Sequence, residues 1–154
     1  MVAGTINGFP FKTLLEPDGR YAPGQQISSH WFRPDKKLLD AAAAKAGDTV
    51  QVSLETSKEW IEPEVPEDLK QALVASPKAE ALWQEISPLA RWDWIRWIRA
   101  VKTQETRQKH IDVALDKLNK GMRRPCCFNR NLCSEPYVSH NWVFLDPMQM
   151  TEKL

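Results

Sequence analysis

Turn signals between short apolar runs predict β-structure in the first third of the chain. The pair Asn7-Gly8 readily adopts the left-handed conformations of a two-residue hairpin turn, and apolar runs flank it on both sides. A second turn signal, Asp-Gly at positions 18–19, predicts a further strand that returns through Ser28 and Trp31. The chain therefore opens as a β-meander.

A short helix and one more strand complete this β-rich part. Leucines and a run of alanines give positions 35–46 high helix propensity, and Gly47 lies where a left-handed C-terminal cap is favoured. Positions 49–55 then alternate between apolar and polar residues, which predicts a half-buried strand. Its apolar face would contain Val50, Val52 and Leu54.

The pattern changes to helical periodicity after about position 62. Four helix starts are indicated, the first by a proline before two acidic residues and the others by a Ser or Thr cap. They lie at Pro66, Ser76, Ser87 and Thr103. Apolar residues three and four positions apart form two stripes, which we expect to share one core. The stripes are Trp94, Trp97, Ile98 and Val101, then Ile111, Ala114, Leu115 and Leu118.

No clear period continues beyond Gly121. Several prolines interrupt the remaining segment, which we expect to be an irregular tail. Its aromatic residues Tyr137, Trp142 and Phe144 are the groups through which it would pack on the rest of the protein.

These elements predict an α+β fold with three segments along the chain. Positions 1–61 form a β-rich domain with one short helix. Positions 62–122 form a small bundle of short helices, and positions 123–154 form the tail. With 154 residues, the chain has the size of one compact folding unit.

Charge is nearly balanced overall but divided between two segments. The formal net charge is +1. Positions 59–85 contain seven acidic and two basic residues, whereas positions 91–130 contain eleven basic and four acidic residues. We therefore expect either ion pairs between the two segments or an anionic partner for the second one.

The expected location is the cytoplasm. The first residues lack the basic and apolar regions of a signal peptide, and no apolar run approaches the roughly 18 residues of a membrane span.

Three cysteines crowd into one short segment, at Cys126, Cys127 and Cys133. An odd number of cysteines in a cytoplasmic chain argues against a disulfide framework. Together with His140 they are candidate zinc ligands, because thiolates and imidazole suit tetrahedral zinc. Adjacent cysteines usually point apart, however, and we favour unpaired thiols and no cofactor.

Four short motifs occur in order along the helical segment. They are Val65-Pro-Glu-Asp-Leu69, Trp97-Ile-Arg-Ala-Val-Lys102, Glu105-Thr-Arg107 and Leu118-Asn-Lys-Gly121. In sequence and order they resemble the YdeI/OmpD-associated family. The resemblance implies a family named for bacteriocin protection and for association with an outer-membrane porin, with no established reaction or catalytic residue set.

The front half is similar to a β-barrel domain of unknown function that often precedes this helical module. The similarity lies in Thr5-Ile-Asn-Gly-Phe-Pro-Phe11, in the Leu- and Ala-rich helix, and in Gly47-Asp-Thr-Val-Gln-Val52. The resemblance implies a partial double-split barrel, which usually has another strand or two before this hairpin. Such barrels assemble by exchanging strands between subunits, so the resemblance also suggests a homodimer.

Charged residues beside tryptophans give the best candidate for a small-molecule or anion site, because they would place a polar spot in an apolar wall. The candidates are Trp97, Arg99, Lys102, Glu105 and Arg107. The structural alternative is that Glu105 stabilises the first turn of a helix and that Arg107 pairs with an acid from an earlier one.

The Arg- and Trp-rich segment 91–99 also suggests the alternative function of nucleic-acid binding, since aromatic rings stack on bases and arginines neutralise phosphates. We favour the alternative that the tryptophans fill the core while Arg96 and Arg99 are solvated or acid-paired.

No motif in the sequence assembles a catalytic centre. We therefore expect a non-enzymatic binding factor that binds a protein partner or a small ligand, and the resemblance implies a link to bacteriocin protection or stress. The competing hypotheses are an enzyme or ligand binder with its site between barrel and helices, and a nucleic-acid binder.

Overall fold

The computed structural model describes residues 1–20 and 29–145. These residues form two compact units, one of Met1–Glu16 and His30–Ile61, the other of the described parts of Pro17–Ser29 and Glu62–Leu154. The strands are β1 (Val2–Ile6), β2 (Phe9–Thr13), β3 (Glu16–Pro17), β4 (His30–Trp31), β5 (Val52–Thr56), β6 (Ser139–His140) and β7 (Val143–Phe144). The helices are α1 (Lys36–Ala41), α2 (Glu67–Val74), α3 (Pro77–Glu85), α4 (Pro88–Arg99) and α5 (Gln104–Asn119).

The opening hairpin is confirmed. β1 pairs antiparallel with β2, in a register that places Ile6 opposite Phe9. Asn7 and Gly8 form the turn with φ angles of 49° and 85°, as a two-residue hairpin turn requires. The other edge of β1 pairs with β5, so the sheet order is β2-β1-β5.

Asn7 also connects this turn to two other elements. Its Nδ2 donates to the carbonyl oxygen of Ala42 at 3.1 Å, and its Oδ1 accepts from the backbone N–H of Gln51 at 3.0 Å. The first bond satisfies a carbonyl at the C-terminal end of α1, where the helix itself offers no donor. One side chain therefore fixes the end of α1 and the entry to β5.

Two elements of this unit differ from the sequence prediction. α1 ends early because Ala43 adopts a left-handed φ of 48°, so Gly47 lies in a later turn. β5 begins at Val52 rather than at position 49. All five of its residues are exposed instead of half-buried, because β5 is an edge strand.

Helices and small open sheets make the fold α+β, as the sequence predicts. Beside the three-stranded sheet, β3 pairs with β4 and β6 pairs with β7. No sheet closes into a barrel within residues 1–20 and 29–145. The strand expected to return through Ser28 is present as the two-residue β4, and Ser28 itself lies outside the described residues.

The four helices of the second unit begin where the sequence places them. Ser87 and Thr103 cap α4 and α5 by accepting a hydrogen bond from a backbone N–H in the first turn. Pro66 precedes α2 as its cap residue. The prediction that the Ser76 hydroxyl caps α3 is wrong, because this hydroxyl bonds instead to the side chain of Asn119 in α5, 3.1 Å away.

These helices bury one common core, as the two apolar stripes predict. Its largest members come from all four helices, and burying each contributes about 1.5 to 3 kcal/mol. They are Leu69, Trp83, Trp94, Ile98, Ile111 and Leu118. Val101 departs from the prediction, since it lies beyond the end of α4. Gly121, at φ 86°, follows α5 as expected of a C-terminal cap.

The tail is more regular than predicted. β6 and β7 form a hairpin whose turn residues, Asn141 and Trp142, have left-handed φ angles of 49° and 67°. The carbonyl oxygen of Trp142 accepts from Cys133 N–H at 2.9 Å, and Phe144 N–H donates to the carbonyl oxygen of Asp18 at 2.6 Å. The prediction that Tyr137 packs the tail onto the rest of the protein is wrong, because Tyr137 is 75% exposed.

None of the helices within residues 1–20 and 29–145 has the length and apolarity needed to span a membrane.

Candidate functional site

The first turn of α2 is joined to α5 by a two-point ion pair. Arg107 donates from Nε to Asp68 Oδ2 at 2.6 Å and from Nη2 to Asp68 Oδ1 at 2.9 Å. This hydrogen bonding lowers the pKa of the Asp68 carboxyl and raises that of the Arg107 guanidinium. The two residues belong to two of the motifs noted above, so the motifs meet in space.

The acidic and basic segments pair with each other, which confirms one of the two outcomes expected from the charge pattern. Besides Asp68 with Arg107, Glu62 contacts Arg91, and Glu85 lies 2.6 Å from Arg123. Much of the positive charge after position 91 is therefore neutralised internally.

A second group of contacts holds the tail against α4. Arg96 is only 6% exposed, and its guanidinium donates to the carbonyl oxygens of Arg130 and Leu132 at 3.2 and 3.1 Å and to Ser134 Oγ at 3.2 Å. One turn earlier, the buried carboxylate of Asp93 accepts a hydrogen bond from Arg130. Of the two alternatives expected for Arg96, solvated or acid-paired, the solvated one is wrong, because the side chain is buried.

Between the end of α4, the first half of α5 and this part of the tail lies a cavity of about 400 Å³. Its walls are mainly apolar and aromatic, with two thiols and one imidazole. The residues important here are Trp97, His110, Cys127, Phe128, Cys133 and Trp142. The volume lies in the range of small-molecule sites.

One wall of the cavity is a parallel stack of two rings. The imidazole of His110 lies 4.1 Å from the indole of Trp97, with 4° between the ring planes. His110 Nδ1 is 3.0 Å from the carbonyl oxygen of Trp97. A carbonyl oxygen only accepts hydrogen bonds, so Nδ1 carries a hydrogen, and in the neutral ring Nε2 is left as an acceptor.

The cysteines form two different environments. Cys133 is buried, whereas Cys126 and Cys127 are exposed. The Lys117 ammonium donates a hydrogen bond to the Cys126 sulfur and lowers the pKa of this thiol. No group of three or more His, Cys, Asp or Glu side chains within the described ranges is arranged to hold a metal ion. Zinc binding by the cysteines and His140 therefore stays a prediction with no geometric support.

The five residues suggested as a ligand site make different contacts. Of these residues, Trp97 alone lines the cavity described above. Arg99 donates to Ser134 Oγ at 3.1 Å, Glu105 pairs with Lys109 at 2.6 Å, and Lys102 is exposed. Arg107 is bound to Asp68, which agrees with the structural alternative.

Several side chains of the Arg- and Trp-rich helix make contacts inside the helical unit. Trp94 is fully buried and Arg96 nearly so. Arg91 contacts Glu62 and donates to the backbone carbonyls of Trp83 and Gln84. Trp94, Arg96 and Arg91 thus make their contacts within the helical unit.

The β-rich unit contains a groove of similar volume, about 410 Å³. Phe11 and Phe32 stack in it with ring centroids 5.1 Å apart. Its lining contains Lys12, Asp35 and Lys37 but neither a thiol nor an imidazole. We therefore regard the cavity beside Trp97 as the better candidate site.

Sequence reasoning missed most of this cavity. His110 seemed isolated because thirteen positions separate it from Trp97, and Phe128 lies in a segment without periodicity. A useful signal was available in the clustering of thiols and aromatic residues between positions 126 and 142.

With this geometry established, comparison with known families is informative. Residues 62–121 match the model of the family described as "Bacteriocin-protection, YdeI or OmpD-Associated". The helical segment is therefore similar to the YdeI/OmpD-associated family, as its four sequence motifs predict. The match covers α2 to α5, including Asp68, Arg107, Trp97 and His110. Comparisons with curated proteins and with solved structures found no match.

Breaking the Asp68–Arg107 pair should cost stability in a pH-dependent way. The pKa of Asp68 is lowered in the folded state, so the pair stabilises the protein above the pKa of an unfolded aspartate, about 3.9. This stabilisation is lost as the pH falls through the lower pKa of the folded state. Asp68→Asn should reduce the free energy of unfolding at pH 7 by about 1 to 3 kcal/mol, and the difference from wild type should shrink below about pH 4.

Urea denaturation at several pH values measures this effect. Glu105→Gln is the matched control, because Glu105 forms an exposed pair with Lys109 on one helix face and its loss should cost at most about 0.5 kcal/mol. Equal losses for the two variants would contradict the structural role of Asp68.

Shortening Arg96 should release the tail while leaving the helical core in place. In Arg96→Lys, one ammonium cannot reproduce three hydrogen bonds from a planar guanidinium, so we expect a loss of about 2 to 4 kcal/mol. Hydrogen exchange should accelerate at positions 128–134 more than in α2 and α5. Arg124→Lys, at an exposed position, is the control, and uniform acceleration in Arg96→Lys would refute the local role.

Proposed function

We propose that this protein is a non-enzymatic binding factor whose helical module holds a small planar ligand in the cavity beside Trp97 and His110. The observation that carries this proposal is the parallel stack of these two rings on the cavity wall. A preformed aromatic wall offers a flat ligand contact area with little loss of side-chain freedom.

The chemistry of the walls indicates the class of ligand. Phe128 and Trp142 add aromatic surface, and the lining contains no carboxylate or ammonium group. In the neutral imidazole of His110, Nε2 is the atom that can accept a hydrogen bond from a ligand, because Nδ1 donates to the Trp97 carbonyl. A planar, largely apolar molecule with one hydrogen-bond donor fits this set of groups.

We further propose that the protein acts in the cytoplasm, in bacteriocin protection or a related stress response. The family description supports the link with bacteriocins. Cys126 and Cys127 are exposed thiols, and exposed thiols persist in a reducing compartment.

A homodimer formed through β5 is also part of the proposal. β5 lies at an edge of its sheet, and Val52 and Leu54 are 45% and 48% exposed. Val52 lies opposite Ile6 of β1, and Leu54 lies opposite Gly4. Both side chains are therefore on the same face of the sheet as the buried Ile6. A second copy of β5 would pair the free edge and cover this apolar surface.

Ligand binding can be tested with a set of planar aromatic fragments. We expect binders that raise the melting temperature and shift the NMR signals of the Trp97 and His110 rings. Trp142→Ala should weaken these binders at least about tenfold, by loss of an aromatic contact. Trp60→Ala is the control, because Trp60 is similarly exposed, 41% against 47%, but lies in the β-rich unit. The proposal would be refuted if both variants weakened the binding of the fragments equally, or if no fragment bound the wild-type protein.

The dimer can be tested by light scattering over a range of protein concentrations. Leu54→Lys should shift the mass toward the monomer, since it places a charge on the proposed contact. Val74→Lys is the matched control, because Val74 is an exposed apolar residue of α2, 62% accessible. A wild-type protein that is monomeric at all concentrations would exclude the dimer.

A further inference from the structure

The groove of the β-rich unit offers aromatic rings to a flat molecule. It is lined by β2, by α1 and by the residues that lead into α1, and three phenylalanines are among them, Phe9, Phe11 and Phe32. Phe9 and Phe11 lie two positions apart on β2 and therefore share one face of the sheet. Phe11 stacks on Phe32 with 18° between the ring planes, and Phe9 is 44% exposed. The aromatic surface is thus formed before any ligand enters.

The same groove contains more positive than negative charge. Its lining includes the basic side chains of Lys12, Arg33 and Lys37 and one carboxylate, that of Asp35. All four residues are exposed. Oδ1 of the carboxylate accepts a hydrogen bond from the N–H of Leu38 at 2.7 Å, so this oxygen already serves to cap α1. The net field of the lining therefore attracts an anion.

Two of the three basic side chains have no acidic partner in the described part of the chain. Lys12 contacts Glu59. The ion pairs within residues 1–20 and 29–145 include neither Arg33 nor Lys37. An exposed pair such as that of Lys12 is weak, so this lysine can exchange its partner. Arg33 and Lys37 are therefore the first groups that an anion in the groove would contact.

We propose that this groove binds a nucleotide, with the base on the phenylalanines and the phosphate on Arg33 and Lys37. A phosphate monoester carries a charge of about −1.5 to −2 at pH 7, which two cations neutralise. The arginine fork can donate two parallel hydrogen bonds to phosphate, and the lysine adds a compact charge. Every base has a flat π-face that stacks on an aromatic side chain.

Simpler ligands would use one half of the groove each. Inorganic phosphate would leave the phenylalanine rings uncovered, whereas an uncharged planar molecule would leave Arg33 and Lys37 without a counter-ion. A molecule that joins a flat ring to a phosphate satisfies both. The cavity beside Trp97 differs, because its described lining contains neither lysine nor arginine. The groove is thus a second site, for another class of ligand.

Calorimetric titration of the full-length protein with deoxyadenosine 5′-monophosphate is the first test. The nucleotide should bind at least about tenfold more tightly than deoxyadenosine or inorganic phosphate, because each of these lacks one set of contacts. Its affinity should also fall as ionic strength rises, since the cations that bind the phosphate are exposed.

Two adjacent lysines provide a matched pair of variants. Lys37 lines the groove, whereas Lys36 pairs with Asp40 at 2.6 Å and is not part of the lining. Lys37→Gln and Lys36→Gln remove the same charge, but Lys37→Gln alone should weaken nucleotide binding about tenfold. Arg33→Gln should act like Lys37→Gln, and neither should affect deoxyadenosine. Phe9→Ser should weaken nucleotide and nucleoside alike, by loss of stacking. Melting temperatures verify that each variant is folded.

A short single strand distinguishes the two sources of this ligand. Hexadeoxyadenylate with a 5′ phosphate presents the same terminal group as the mononucleotide. Equal affinities would identify a free nucleotide as the occupant, because one nucleotide then makes all the contacts. Binding of the strand more than about tenfold more tightly, with a salt dependence that reports several phosphates, would identify single-stranded nucleic acid.

Four results would overturn the proposal. The first is the absence of binding at millimolar nucleotide. The second is equal affinity for deoxyadenosine and its monophosphate, and the third is equal weakening by Lys36→Gln and Lys37→Gln. The fourth is loss of nucleotide binding in Trp142→Ala, which would place the nucleotide in the cavity beside Trp97. Because Trp142 lines that cavity and not the groove, this variant separates the two sites.

Discussion

Burial of the Arg96 guanidinium is the constraint on which the candidate site depends. Positions 128–134, which follow α5, lie in neither a helix nor a strand, so their carbonyl groups need donors from elsewhere. Arg96 supplies them to Arg130 and Leu132 and also faces the ring of Phe128, 5.2 Å from its centroid. Asp93 fixes the other side of the loop by accepting from Arg130. Without these contacts the cavity would lack one of its walls.

The opposite wall depends on a different charged contact. Arg107 and His110 lie about one turn apart on α5, and Arg107 is held by Asp68 of α2. The ion pair that joins two family motifs therefore also limits how the turn carrying His110 can rotate. The stack of His110 on Trp97 is thus supported by a contact outside the cavity. In this module, structural charges and the proposed binding surface occupy successive turns of one helix.

Local signals predicted the elements well but not the site. The Asn7-Gly8 hairpin, the helix starts and the apolar stripes follow from turn chemistry, caps and periodicity, which act over a few residues. The burial of Arg96 depends on contacts between segments far apart in sequence, such as that with Ser134, 38 positions away. Charge segregation predicted internal pairing, but not which acid meets which base.

The tip of the β6–β7 hairpin has a consequence for the timing of the proposed ligand exchange. Trp142 lines the cavity, yet its turn joins strands of only two residues each, and such short hairpins open easily. The Trp97 and His110 wall belongs to helices packed on the core and moves far less. Residence time in the cavity would then be set by hairpin opening, whereas selectivity would be set by the helical wall. The two properties can therefore change independently during evolution.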